Sequence, residues 1–148
     1  MNDERIESNL TAEEGYSLHT YYIYRVLHIG RGHKIVPSDN LKDGDTITTE
    51  REIDIFAHDR MHAQIAARAV VPRFAELPDD LQNIMVEMAY NMGQGNNIHG
   101  LKSFHAMLTA IAMRDKFGMI AELLDSDAAR RLPERYARYA KRMERIEL

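Results

Sequence analysis

The segment EGYSLHTYYIYRVLHIGRGH, residues 14–33, decides how the first third of the chain is interpreted. It opens on Glu14, which borders a short helical stretch, and it contains no other carboxylate. Its middle, YYIYRVLHIG, is rich in β-branched and aromatic residues with partial alternation, which predicts a strand. Gly30 and Gly32 then permit tight turns before His33. The segment therefore predicts a small β-rich region that follows one isolated acidic side chain.

The local sequence by itself offers a structural role for Glu14. Thr11 and Glu14 have the spacing of a capping box, so a short helix could begin here.

The chain after the β-rich region is predicted to be mainly helical. Residues 48–71 form a long helix that Thr48 or Thr49 can cap and Pro72 ends. We expect its buried stripe to consist of apolar residues three and four apart, namely Ile53, Phe56, Ala57, Met61, Ile65 and Ala69. Residues 77–93, LPDDLQNIMVEMAYNMG, are apolar nearly all round and predict a buried central helix.

Three further amphipathic helices are predicted within residues 101–113, 115–126 and 133–146. The fold class is therefore α+β, mainly helical, in a single domain of residues 1–148. We expect a small β lobe over about residues 15–47, a linking helix over 48–71, and a helical lobe over 72–148 on which the N-terminal helix packs.

Composition limits the classes of function. Hydrophobic residues make up 45% and charged residues 28% of the 148 residues, as in ordinary globular proteins. Cysteine is absent, which excludes disulfides and thiolate metal sites. The net charge of −4 gives no general attraction for nucleic acid, and no apolar run is long enough to insert into a membrane. The acidic start, MNDERIESNL, differs from a signal peptide, so we expect the protein in the host cytoplasm.

Basic residues near the C-terminus form a one-sided set at helical spacing, namely Arg130, Arg131, Arg135, Arg138, Lys141, Arg142 and Arg145. Interspersed glutamates dilute their charge, which favours a solvated surface helix over a nucleic-acid site.

The histidines suggest a metal site only weakly. A zinc site from His19, His28 and His33 is conceivable, but these residues lack the usual helical spacing of four. His58 and His62 do have that spacing, and a solvated helix face is favoured for them. We therefore predict no metal and no cofactor.

Five motifs together resemble the phage-type lysozymes, the muramidase family of the T-even phages. In order they are LTAEEG, LHIGRGH, TITTEREIDIFAHD, LPDDLQNIMVEMAYNMG and LPERYARYAKRM, and they extend over most of the chain. The resemblance implies a two-lobed lysozyme fold. It also implies hydrolysis of the β-1,4 bond between N-acetylmuramic acid and N-acetylglucosamine in the glycan strands of peptidoglycan.

The resemblance also assigns candidate residues, with one departure. The family's general acid falls on Glu14, and its arginine partner falls on Arg135 or, as a second choice, Arg138. The family's second catalytic carboxylate falls on Ile23 or Tyr22, and neither residue can replace it.

His28 occupies the position of a family threonine that holds water beside the catalytic carboxylate. A neutral imidazole there could activate water, giving inversion, or attack the sugar carbon, giving retention. A packing or surface role for this strand histidine is the alternative.

The resemblance places further substrate contacts on Gly32, His33, Tyr90 and Asn91 along the cleft. The sequence therefore favours a monomeric muramidase that reaches the wall by a separate release route or within a virion. A catalytically silent relative that binds cell-wall glycan or a protein is the other interpretation.

Overall fold

The computed structural model describes all 148 residues. Helix α1 (Asp3–Glu14) leads into an antiparallel sheet with strand order β1 (Ser17–Ile23), β2 (Val26–Gly30), β3 (His33–Lys34). The remaining helices are α2 (Thr49–Val70), α3 (Asp79–Met92), α4 (His105–Ala112), α5 (Lys116–Leu124), α6 (Asp127–Arg131) and α7 (Pro133–Glu144). The mainly helical α+β class is thus confirmed. None of the helices combines the length and the apolar character that crossing a bilayer requires.

The N-terminal helix ends, rather than begins, near Thr11. Asn2 caps its start by accepting the Arg5 N–H, and Gly15, with φ of 74°, terminates it just after Glu14. The Thr11 hydroxyl donates to the Glu7 carbonyl at 2.8 Å within the helix. The capping-box interpretation was therefore wrong, and Glu14 lies at the carboxyl end of α1.

Strands β1 and β2 form a tight hairpin rather than one continuous strand. Ile23 pairs with Val26, and the two intervening residues, Tyr24 and Arg25, have φ of 47° and 66°. Positive φ at both central residues is the geometry that suits the twist of a two-residue hairpin. The sequence prediction of one strand through Tyr21–Gly30 was wrong because neither turn residue is a usual turn former.

The long helix α2 has the predicted ends but a different buried face. Thr48 caps it by accepting the Arg51 N–H, and the helix stops before Pro72. The buried residues are Glu52, Phe56, Ala63, Ala66 and Ala67. Only Phe56 of the predicted stripe is buried. The rest of the prediction was wrong, because Ile53, Met61 and Ile65 are 51%, 49% and 56% exposed and Ala57 and Ala69 are exposed as well. Small alanines face α3 instead, and their size lets the two helices approach closely.

The core forms around α3, as the sequence predicts. Its buried apolar residues are Leu81, Ile84, Met85, Val86, Met88 and Ala89. Helix α1 contributes Ile6 and Leu10 to the same cluster, and α7 contributes Tyr136 and Met143. Each such large side chain contributes about 1.5–3 kcal/mol by leaving water. This packing fixes the end of α1, and with it Glu14, against the helical body.

Four arginines of the C-terminal segment form intramolecular ion pairs. Arg135 and Arg138 contact Glu13, and Arg142 contacts the buried Glu87. Arg130 pairs with Asp125 and Asp127. Their charge is therefore largely balanced by neighbouring carboxylates. Helix α6, a five-residue helix that was not predicted from the sequence, carries both Arg130 and Asp127.

A buried ion pair joins the β2–β3 turn to α2. Arg31 donates from Nε and Nη2 to the two carboxylate oxygens of Glu52 at 2.8 and 2.9 Å. Glu52 is 0% and Arg31 is 8% exposed, and the guanidinium lies 3.7 Å from the Phe56 ring centroid. Arg31 also donates to the Thr11 hydroxyl at 3.1 Å. This single side chain therefore links the turn to both α1 and α2.

Breaking this pair is expected to destabilise the protein strongly. Glu52→Gln leaves the buried guanidinium without its counter-charge, so we expect a loss of about 3–5 kcal/mol in the free energy of unfolding. Replacing both partners, Arg31→Met with Glu52→Leu, should recover much of that loss because no charge stays buried. Urea unfolding at neutral pH measures both values. A loss below about 1 kcal/mol in Glu52→Gln would contradict the assigned burial of this pair.

Candidate active site

The carboxylate of Glu14 lies at a junction of three elements. It accepts a hydrogen bond from Asn91 Nδ2 at 3.2 Å, donated from the end of α3. Arg135 Nη1, from α7, lies 3.3 Å from the same oxygen. The Glu14 side chain is 14% exposed. It is therefore held firmly while one side stays open to solvent.

The turn after β2 closes over Glu14 from the other side. Gly32 has φ of 73°, and a Cβ at this position would lie 3.0 Å from Glu14 Oε2. Both features call for glycine, because a side chain would be strained and would collide with the carboxylate. The Gly32 N–H donates to the Tyr21 hydroxyl at 3.1 Å, which fixes the turn against β1.

Arg135, rather than Arg138, is the arginine beside Glu14. Arg135 bridges two adjacent carboxylates, because its Nε also lies 3.1 Å from Glu13 Oε2. Arg138 donates to both oxygens of Glu13 at 2.8 Å. The second arginine therefore anchors Glu13 and leaves Arg135 oriented toward Glu14.

His28 lies on β2 with one ring nitrogen fixed. Its Nδ1 lies 2.8 Å from the Val26 carbonyl oxygen, and the ring stacks on Tyr21 with centroids 5.8 Å apart. A carbonyl can only accept, so Nδ1 carries the hydrogen in this bond. In the neutral ring Nε2 then has a free lone pair. The ring of His28 is therefore held in one position by Val26 and Tyr21.

A cleft of about 580 Å³ separates the sheet from the helices. Its residues on the sheet side include His28, Gly32 and His33. On the helical side the lining includes Asp59, His62, Ile65, Tyr90, Asn91 and Gln94. Glu14 adjoins this cleft through two of its lining residues, since Asn91 donates to its carboxylate and Gly32 packs close to it.

Another depression, of about 710 Å³, lies on the outer side of α1. It is lined by Glu4, Glu7, Ser8, Thr11, Ala12 and Arg31. Two of its charged residues form an ion pair, since Arg31 Nη1 lies 3.4 Å from Glu7 Oε1. The cleft beside Glu14 is therefore the stronger candidate for chemistry.

Tyr90 forms part of the cleft wall with its hydroxyl already used. That hydroxyl donates to the Arg31 carbonyl at 2.5 Å. Burial raises the pKa of Tyr90, and the negative charges of Asp59 and Glu14 act in the same direction. The hydroxyl therefore stays protonated, and Tyr90 presents its ring rather than a free polar group to the cleft.

His33 is a charged structural link rather than a free imidazole. Its Nδ1 lies 2.7 Å from Asp59 and its Nε2 lies 2.9 Å from Asp39. The hydrogen bond to Asp59, assisted by Asp39, raises the pKa of His33 to about 9. No ring nitrogen is left for zinc, and no group of three or more metal-ligating side chains forms elsewhere. The alternative of a zinc site formed by His19, His28 and His33 was therefore wrong.

This link predicts a pH dependence of stability. The pKa of His33 rises from 6.5 to about 9 on folding, so its contribution is complete below about pH 6.5 and disappears as pH rises through 9. The thermal midpoint of the wild type should therefore exceed that of His33→Asn most at about pH 6, with a smaller gap near pH 9. Calorimetry across this range measures the gap. A gap that widens toward pH 9 would contradict the assigned pairing.

The position of the missing carboxylate is occupied by uncharged side chains. Tyr22 and Ile23 end β1 beside the hairpin turn, 57% and 42% exposed. The negative charge of Asp43 raises the pKa of Tyr22. Strand alternation directs Tyr22 to the face opposite Tyr21, so Asp43 beside it does not replace the missing group.

Several residues of the site were not predicted from the sequence. Tyr21, which contacts both His28 and Gly32, lies opposite His28 only because the chain reverses at the hairpin. Asp39 and Asp59 meet at His33 from separate elements. The GRGH motif was the available signal, since it placed an arginine and a histidine in one glycine turn.

An acid at a helix end, beside a cleft between a small sheet and a helical body, is an arrangement suited to a carbohydrate-cleaving enzyme. The family model for Phage lysozyme matches residues 11–141. The chain therefore belongs to the phage lysozyme family, which is a family of glycoside hydrolases. Membership implies that the protein is a peptidoglycan muramidase. A comparison with curated proteins finds no match to this chain.

Proposed function

We propose that this muramidase cleaves the glycan with Glu14 as general acid and His28 in place of the missing carboxylate. One observation supports the proposal: His28 lines the cleft next to Glu14, and its Nδ1–H donates to the Val26 carbonyl, which leaves Nε2 without a partner. Hydrolysis of a glycosidic bond requires a proton for the leaving oxygen and a partner on the opposite face of the sugar.

Glu14 supplies the proton to the glycosidic oxygen as the bond to the anomeric carbon breaks. Asn91 and Arg135 both contact the same Glu14 oxygen, so they stabilise the carboxylate that forms. Gly32 has no side chain to crowd the other oxygen, which leaves that oxygen room to approach the substrate.

His28 then has two routes. As a base, Nε2 accepts a proton from a water molecule that attacks the anomeric carbon, and the product has inverted configuration. As a nucleophile, Nε2 bonds to the anomeric carbon, and water activated by Glu14 later displaces the imidazole with net retention. The stacked Tyr21 ring restricts rotation of His28 in either route.

The substrate would lie along the cleft wall that Gly32, His33, Tyr90 and Asn91 form. Backbone groups of the turn and the Asn91 amide offer polar contacts to sugar hydroxyls. The Tyr90 ring and the His33 ring offer flat surfaces, because their polar atoms already have partners.

Two assays test this proposal in sequence. The protein should clear a suspension of chloroform-treated Gram-negative cells within the range of about pH 5 to 8. NMR of the first-formed sugar anomer then separates the two routes of His28. No clearing at any of these pH values would overturn the catalytic proposal.

One feature favours a second candidate function, that of a catalytically inactive lysozyme-like protein that binds glycan. The rim of the sheet carries exposed apolar groups, Tyr22, Ile23 and Tyr24, where the family has a carboxylate. Aromatic surfaces of this kind can contact sugar rings without cleaving them. Retention of the protein on insoluble peptidoglycan without release of soluble fragments would support this candidate.

A further inference from the structure

Two histidines on the exposed face of α2 have no part in the proposed chemistry. His58 and His62 are one helical turn apart, and their ring centroids are separated by 4.3 Å. Their Nε2 atoms approach to 3.1 Å and have no other hydrogen-bond partner within the protein. The sequence suggested only a solvated helix face, whereas the structure brings the two Nε2 atoms within hydrogen-bonding distance of each other.

We propose that His58 and His62 chelate a late first-row divalent metal ion of the Zn²⁺ type. Bonds of about 2.0–2.1 Å, at angles between square-planar and tetrahedral, place two ligand nitrogens about 2.9–3.4 Å apart. The observed Nε2 separation of 3.1 Å lies inside that range. An ion can therefore bind between the rings with little change in the helix.

The surroundings favour a cation. The other ring nitrogen of His58, Nδ1, lies 3.9 Å from Asp59 Oδ1, which is too long for a hydrogen bond but within ion-pair range. Metal-ligating histidines commonly have a carboxylate at the nitrogen that does not bind the metal. A small rotation of the His58 ring would complete this contact.

Exposure makes the site accessible and leaves the ion open to exchange. The His58 side chain is 64% exposed, so water can occupy the remaining coordination positions. His62 also lines the cleft, which places the ion at the cleft rim. The pair differs in this respect from His33, whose two nitrogens are both occupied by carboxylates.

Binding would also stabilise α2. The two imidazoles are held at chelating distance only while the helix is formed, so the ion binds the folded chain in preference to the unfolded one. The thermal midpoint should therefore rise with Zn²⁺ concentration by mass action. Mg²⁺ should give no such rise, because it prefers oxygen ligands.

Titration calorimetry of the full chain with ZnCl₂ tests the proposal. We expect one ion per chain, and we expect His58→Ala or His62→Ala to lower the affinity by more than about tenfold. Both residues are exposed, and alanine favours helix, so these variants should fold. His99→Ala, which removes an exposed histidine in the loop after α3, is the matched control and should bind as the wild type does.

Two results would overturn the proposal. One is unchanged Zn²⁺ affinity and stoichiometry in the doubly substituted His58→Ala/His62→Ala chain. The other is a wild type that neither releases heat nor gains thermal stability with excess ZnCl₂, which would leave only a hydrogen-bonded pair of imidazoles. Neither result depends on the muramidase activity of the protein.

Discussion

Replacing Glu14 by glutamine is expected to slow the clearing of chloroform-treated Gram-negative cells by roughly 10²–10⁴-fold, the usual contribution of a general acid. Glutamine keeps the length of the side chain, and its oxygen can still accept from Asn91 as the Glu14 oxygen does at 3.2 Å. What it lacks is the proton for the leaving glycosidic oxygen. The loss should therefore appear in the rate and not in the fold.

Glu4→Gln provides the matched control for this experiment. Glu4 is an exposed glutamate on the same helix, so its substitution removes an equal charge away from the cleft. We expect this control to clear cells at the wild-type rate. Clearing by Glu14→Gln at the same rate as the control would show that Glu14 is not the acid.

Replacing His28 by alanine is expected to lower the rate of hydrolysis by a similar factor, roughly 10²–10⁴-fold. The variant removes the imidazole of the proposed site that keeps a nitrogen without a partner, because both nitrogens of His33 are paired. Tyr22 and Ile23 have no carboxylate that could replace the lost imidazole. The expected loss follows for the inverting and the retaining route alike.

His19→Ala is the control for a lost histidine on the same sheet. His19 is exposed on β1, where its Nδ1 lies 2.9 Å from the Thr46 hydroxyl. Its removal should leave hydrolysis nearly unchanged. Thermal midpoints of both histidine variants, measured alongside, separate a chemical loss from a loss of folding.

Elements governed by local sequence were predicted well. The ends of α2 follow from a capping threonine and a proline, and both signals act within a few residues. The buried centre, α3, followed from its nearly continuous apolar character. Glu14, Gly32 and Asn91, which the resemblance selected, lie next to one another in the structure, and their roles in catalysis and substrate binding stay predictions.

Features that depend on tertiary contacts were not predictable in the same way. The buried face of α2 was predicted wrongly because that helix carries apolar residues on more than one side. Packing against α3 determines which of these sides is buried. The buried pair of Arg31 and Glu52 unites two charged residues that sequence rules assign to the surface. The orientation of His28 depends on a hairpin turn at Tyr24 and Arg25. This turn contains no glycine or asparagine, so the sequence does not indicate it.

The most direct test of the paired action of Glu14 and His28 is the initial rate at which new N-acetylmuramic acid reducing ends form on purified peptidoglycan. The rate should be measured for the wild type, Glu14→Gln, His28→Ala and the double variant. Residues that act as a unit are not additive, so the double variant should be no slower than the slower single variant. A wild-type rate in His28→Ala would contradict the account, because hydrolysis would then proceed without the imidazole.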